Sequence, residues 1–154
     1  MMRFGAILAV FLGASTAAAM AADPALSPQA NAAYLAAYAH KPGAVRTADG
    51  LEYRIIQHGK GARPAASDLV DVYYWGTLIN GKLFDQTKPG VPAQFPVNGV
   101  IPGWTEALLL MREGDRWELA IPANLAYGSS GAGDAVPPDQ TLVFEVSLVK
   151  VTHP

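Results

Sequence analysis

Acid–base, metal and nucleophilic chemistry each need particular side chains at particular spacings, and this chain of 154 residues supplies few of them. His40, His58 and His153 fall in or beside polar, loop-like or terminal stretches, with no spacing that suits a metal and no serine nucleophile motif nearby. They are expected to be solvated. The absence of cysteine excludes disulfides, zinc thiolate sites and thiol catalysis. Gly128, Gly131 and Gly133 resemble a phosphate-cradling loop, but Pro137 and Pro138 follow where phosphate needs a helix N-terminus, so nucleotide binding is not expected. Asp85 stands as the one acid between apolar elements, which leaves no carboxylate pair for general acid–base work.

What remains is aromatic. Tyr74, Phe84, Phe95, Trp104, Tyr127 and Phe144 come from different elements, each on the inward phase of its strand or beside a turn. Any one of them, alone, reads as ordinary core. Together with one acid and two phenols they have the make-up of a small apolar pocket with a few placed hydrogen-bonding groups.

These side chains must be held by a corner and several strands. Asn98 to Glu106 joins an extended apolar run ending at Val97 to a short helical pattern, Trp104 to Met111, with Pro102 and Gly103 at the handover. Val100, Ile101 and Trp104 are bulky for a loop, so the corner either plugs the core, the commoner outcome, or floors a pocket. Leu51, Tyr53 and Ile55 alternate with polar residues in a half-buried strand. From Leu69 to Leu78, Val70, Val72 and Tyr74 share one face of a longer strand. Asn80-Gly81 has the composition of a type I′ hairpin turn into Lys82 to Asp85. Pro89 and Pro92 exclude a regular central strand there, and Gln94 to Val97 resumes extended structure. Trp104, Leu108 and Met111 follow helical spacing, with Gly114 expected to close the helix. Asp115 to Pro122 and Thr141 to Val151 read as strands, separated by the loop Tyr127 to Pro138. The expected fold class is α+β, a twisted antiparallel sheet wrapped on one short central helix and preceded by a short N-terminal helix.

Residues 1–21 read as a secretory signal: Met1-Met2-Arg3, the uncharged run Phe4 to Leu12, then small residues with Ala19-Met20-Ala21 or Ala17-Ala18-Ala19 as cleavage motif. The alternative is an uncleaved anchor, disfavoured because Gly, Ser, Thr and many Ala make a weak spanning helix. Residues 22–47 form a lead-in whose helical stretch, Pro28 to His40, sets Tyr34 and Tyr38 on one face and stops at Lys41-Pro42-Gly43. So short a helix must dock, either on the following domain (residues 48–154) or on its copy in a homodimer. A net charge of -2 with singly scattered bases offers nucleic acid and anionic membranes no patch. No stable membrane insertion is expected after signal removal.

Five ordered blocks then carry a resemblance: Tyr74-Trp75-Gly76-Thr77-Leu78, Asn80-Gly81-Lys82-Leu83-Phe84-Asp85, Val100-Ile101-Pro102-Gly103-Trp104, Leu125-Ala126-Tyr127-Gly128, and Thr141-Leu142-Val143-Phe144-Glu145-Val146. From about Gly50 to Val151 the chain resembles the FKBP-type peptidyl-prolyl cis-trans isomerases, closest to the exported bacterial branch that includes macrophage infectivity potentiators. The resemblance implies a prolyl isomerase acting on proline-containing, unfolded or partly folded polypeptides, exported to the periplasm, with no metal and no cofactor. It implies Trp104 as pocket floor, with Tyr74, Phe84, Phe95, Val100, Val136 and Phe144 as walls. It implies the Ile101 N–H and Tyr127 hydroxyl as donors to substrate carbonyls, and Asp85 as the carboxylate near the reacting amide. FK506 and rapamycin become candidate ligands. Ala93 and Ala132 stand where larger residues are common, which widens one side of the pocket; Trp75 and Asp134 are further departures. The rival expectation is a chaperone or scaffold module of the same fold that binds peptides without catalysis.

Overall fold

The computed structural model describes residues 23–154, so the expected signal over residues 1–21 lies outside the described residues. Seven strands, β1 (Val45–Arg46), β2 (Glu52–Gln57), β3 (Leu69–Leu78), β4 (Leu83–Gln86), β5 (Ala93–Pro96), β6 (Arg116–Ile121) and β7 (Leu142–Thr152), form one antiparallel sheet in the order β1-β2-β6-β7-β3-β4, with β5 also on β3. Strand β3 forks. Its first half pairs with β5, from Leu69 opposite Pro96 to Val72 opposite Ala93, and its second half pairs with β4. Period-2 alternation explains the burial: Val70, Val72 and Tyr74 of β3 face Phe144, Val146 and Leu148 of β7 on the inner side.

Helix α2 (Pro102–Leu110) lies on that inner side, burying Trp104, Ala107 and Leu108, with Met111 just beyond its end. Pro102 opens it without cost because the first helical N–H needs no partner. A Cβ at Gly103 would stand 2.5 Å from the Ile121 side chain, so glycine sets how closely α2 can approach β6. The Thr105 hydroxyl donates to Val97 O at 2.6 Å and ties the first turn to the corner.

Helix α1 (Pro28–Tyr38) covers the opposite face. Trp117 and Leu119 of β6 point into the core, so Glu118 between them points outward, and the Tyr38 hydroxyl donates to its Oε1 at 2.9 Å. Arg54 of β2 closes on the same carboxylate at 3.1 Å. At the other end of α1, Asn31 is buried and accepts from the Thr141 N–H at 2.7 Å. Helix α1 thus docks on the domain of its own chain. Among the described residues no helix is long and apolar enough to cross a membrane.

Two local expectations are corrected. The hairpin turn closes over Leu78–Gly81, with the Gly81 N–H donating to Leu78 O at 2.9 Å. Only Gly81, at φ 87°, is left-handed there, so this is a three-residue connection with a glycine bulge and not a type I′ pair at Asn80-Gly81. The Asn80 side chain instead accepts from the Lys82 N–H. Gly114 does not close α2, which ends at Leu110 with Met111 already extended. Its positive φ of 94° serves the turn before β6, where Asp115 N–H donates to Arg112 O.

Candidate functional site

Trp104 is carried into the centre of the molecule by the first turn of α2, and three rings meet it edge-to-face. Tyr74 stands at 5.1 Å and 84°, Phe144 at 5.4 Å and 85°, and Phe95 at 5.9 Å and 76°. Phe84 continues the set, at 5.5 Å and 80° to Phe144. Perpendicular packing lets the electropositive edge of one ring meet the electronegative face of another and fixes each ring's orientation. Sequence reasoning passed over the residue that makes room for this: a Cβ at Gly76 would lie 2.5 Å from the Phe144 ring and 2.9 Å from Phe84. A glycine inside an otherwise regular strand was the available signal.

Val100 and Ile101 are buried beside Trp104 at the corner. The Ile101 carbonyl accepts the Trp104 and Thr105 N–H groups at 3.0 and 3.1 Å, while its own N–H donates to no acceptor among the described residues. From the far loop, Val136 is buried in the same core and Tyr127 packs against it. Ala132 is buried too, in an isolated bridge with Val136, and Ala93 is half-buried opposite Val72. Trp75 and Asp134 are exposed.

Asp85 lies on β4 opposite Gly76 and is fully buried. Its Oδ2 accepts the Tyr74 hydroxyl at 2.8 Å, while Oδ1 has no partner among the described residues. Burial pushes its carboxyl up to about 7, against the smaller opposing pull of the Tyr74 and Gln86 hydrogen bonds. Burial, and then the Asp85 charge, also raise the phenols of Tyr74 and Tyr127, so both remain donors. The Tyr127 hydroxyl is buried without a partner among the described residues.

Three other acids are buried besides Asp85: Glu52, Asp68 and Asp115. Asp68 accepts the Ala65 N–H at 2.7 Å and sits 2.6 Å from His153 Nδ1, so that histidine, though exposed, has a partner. Asp115 accepts the Gly59 and Arg112 N–H groups. Both sit in turns, where backbone donors and not hydrophobic periodicity decide burial. Tyr74, Phe84, Phe95, Val100, Ile101, Trp104, Val136 and Phe144 thus belong to one buried cluster with Tyr127 packed against it, while Trp75 and Asp134 stay outside it.

The fold is shared with solved peptidyl-prolyl cis-trans isomerases. The crystal structure of a peptidyl-prolyl cis-trans isomerase from Pseudomonas syringae pv. tomato matches with a TM-score of 0.77 at 41% identity, covering 81% of this chain and 92% of that one. That of FkpA from Escherichia coli matches with a TM-score of 0.76 at 43% identity, covering 79% and 57%. The family model for FKBP-type peptidyl-prolyl cis-trans isomerase matches residues 60–149, and the chain belongs to that family. Among curated relatives, it is 55% identical over 119 residues to the FKBP-type 22 kDa peptidyl-prolyl cis-trans isomerase of Escherichia coli, covering 77% of this chain and 58% of that protein. It is 52% identical over 120 residues to the outer membrane protein MIP of Legionella longbeachae, covering 77% and 52%. The chain therefore spans a little over half the length of these relatives.

Proposed function

We propose that this protein accelerates rotation of X-Pro peptide bonds in polypeptides, with the proline ring seated on Trp104 among Tyr74, Phe84, Phe95, Val100, Val136 and Phe144. The observation that carries the reading is the pairing of this apolar basin with unspent hydrogen-bonding groups, the Tyr127 hydroxyl, Asp85 Oδ1 and the Ile101 N–H. An X-Pro amide faces a barrier of about 18–20 kcal/mol because resonance holds it planar, and unaided it turns over in tens to hundreds of seconds. Twisting removes the resonance and the charge separation that goes with it. A dry basin favours the less polar twisted state, and donors at Ile101 and Tyr127 hold the flanking carbonyls so that rotation occurs about the one bond. Lowering the barrier by roughly 6 kcal/mol would give on the order of a 10⁴-fold acceleration, with no nucleophile or proton shuttle.

The proposal extends to export, with residues 1–21 as a cleaved signal, residues 48–154 as the catalytic unit and the periplasm as compartment. FK506 and rapamycin are candidate competitors for the basin. A homodimer through Pro28 to His40 would have to use the exposed side of α1, at Ala33 and Ala37, since Asn31 and Tyr38 are engaged with the domain. The test is a proline-limited refolding assay together with isomerisation of an X-Pro peptide. Acceleration of both is expected; peptide binding without acceleration would assign the domain to the non-catalytic chaperone reading.

A further inference from the structure

On the sheet face opposite α2, an open groove of about 330 Å³ runs between α1 and the strand pair β1–β2. Ala32 and Ala36 of α1, Ala39 just past its end and Pro122 make an apolar wall, and Glu52 lines the groove opposite them. Glu52 is 2% exposed, and its Oε1 has no hydrogen-bond partner among the described residues. Its nearest cation is Arg46, the cross-strand neighbour, whose Nε stands 4.0 Å from Oε2, beyond hydrogen-bonding distance, on a side chain 68% exposed. So exposed a pair contributes little, and it leaves one carboxylate oxygen unserved. Asp49 adds a second carboxylate to the lining, and the hydrogen bond from the Thr47 hydroxyl holds it below the ordinary carboxylate range. The charged lining is therefore two acids against one base.

We propose that this groove binds a basic side chain, lysine or arginine, of a client polypeptide. Charge complementarity selects the occupant: the aliphatic stem would lie along the alanine wall and the cationic head would meet Glu52. The terminal carboxyl torsion of glutamate is soft, so turning Oε1 toward the groove needs no backbone change. The alanines matter because each leaves the width that a longer side chain on α1 would fill. The site lies on the other side of the sheet from the aromatic basin and does not depend on it.

The probe is an acetylated, amidated Ala-Lys-Ala tripeptide, which has no proline for the basin, compared with its norleucine analogue by NMR titration of the full chain. The lysine peptide is expected to shift the amide resonances of Ala36, Gly50 and Glu52 at millimolar concentration, and the norleucine peptide to leave them in place. Glu52→Gln should weaken binding roughly tenfold or more, because it removes the buried charge that meets the cation. Arg46→Gln should tighten it by removing the internal competitor. Equal shifts with norleucine, full binding by Glu52→Gln, or no shifts at all would each overturn the proposal. Shifts that grow with protein concentration in the absence of peptide would give the groove to a second copy of the chain and overturn it too. Isomerase activity of Glu52→Gln, which is outside the basin, is expected to equal that of the unsubstituted protein.

Discussion

Two regions of this molecule bury polar side chains among apolar ones, and they treat them in opposite ways. In the seam under α1 the polar groups are spent. The Asn31 amide donates to Leu26 O, Ser27 O and Gln140 Oε1 while its oxygen accepts from Thr141, and Tyr38 and Arg54 share Glu118. In the basin around Trp104 they are held back: Asp85 Oδ1, the Tyr127 hydroxyl and Trp104 Nε1 are buried with no partner among the described residues. An unpaired buried group costs about 1–3 kcal/mol, a cost folding alone gives no reason to keep. The seam attaches a helix, and under the proposed function the groups held back in the basin are the ones a substrate would meet. Glu52, at the edge of the seam, behaves like a basin residue, and that exception is the basis of the groove proposal.

The contrast can be broken most forcefully at Trp104. Trp104→Ala removes the ring on which the basin is assembled and should destabilise the protein by about 3–5 kcal/mol while abolishing isomerisation, measured by urea unfolding and the peptide assay. Next comes Asn31→Ala, which strands the Thr141 N–H and Gln140 Oε1. A loss of roughly 2–3 kcal/mol is expected, with turnover of the folded fraction retained. Should turnover fall as far as it does in Trp104→Ala, seam and basin would not be separable.

A finer comparison uses one chemical change at two places. Tyr38→Phe deletes a hydroxyl bonded to Glu118 and should cost about 1 kcal/mol of stability with no effect on catalysis. Tyr127→Phe deletes an unpaired hydroxyl and should leave stability equal or slightly higher, yet lower kcat/KM by roughly tenfold through loss of a donor to substrate. The reverse pattern would show that the roles had been assigned the wrong way round.

The last comparison lies in the pH dependence. Asp85 is raised from 3.8 to about 7 in the folded state, so the folded protein binds a proton there that the unfolded chain has released. The linked stability is full below 3.8 and is lost as pH rises through that window to about 7. Asp85→Asn should remove this slope, so that its melting temperature gains on that of the unsubstituted protein by on the order of ten degrees from the acid to the neutral end. Parallel melting profiles would mean that Asp85 does not carry the raised value.

How much of this was legible depends on the range over which each cause acts. β3 was readable to the residue, because alternation over ten positions reports which side chains face the core. Tyr74, Phe84, Phe95 and Phe144 were readable because each sits on the inward phase of its own strand, whereas Trp104 and Tyr127 lie on α2 and in the far loop. The turn at Asn80-Gly81 was misread because that dipeptide suits two hairpin connections, and pairing of β3 with β4, with its register shift after Gly76, decided between them. Gly114 was misread because a positive φ serves a strand entry as well as it ends a helix.

The sequence by itself determined the faces of the longer strands, a short helix just after the Pro102-Gly103 handover, and an aromatic inventory dense enough to mark one family. These follow from local periodicity, turn chemistry and motif order, which the chain carries whatever it packs against. Only the tertiary structure decided which polar groups find partners. Asn31 meets Thr141 across 110 positions, Tyr38 meets Glu118 across 80, and Asp85 is left with an oxygen to spare. Such pairings depend on geometry between distant segments, and a hydrogen bond made or missed by an ångström leaves no trace in a one-dimensional pattern.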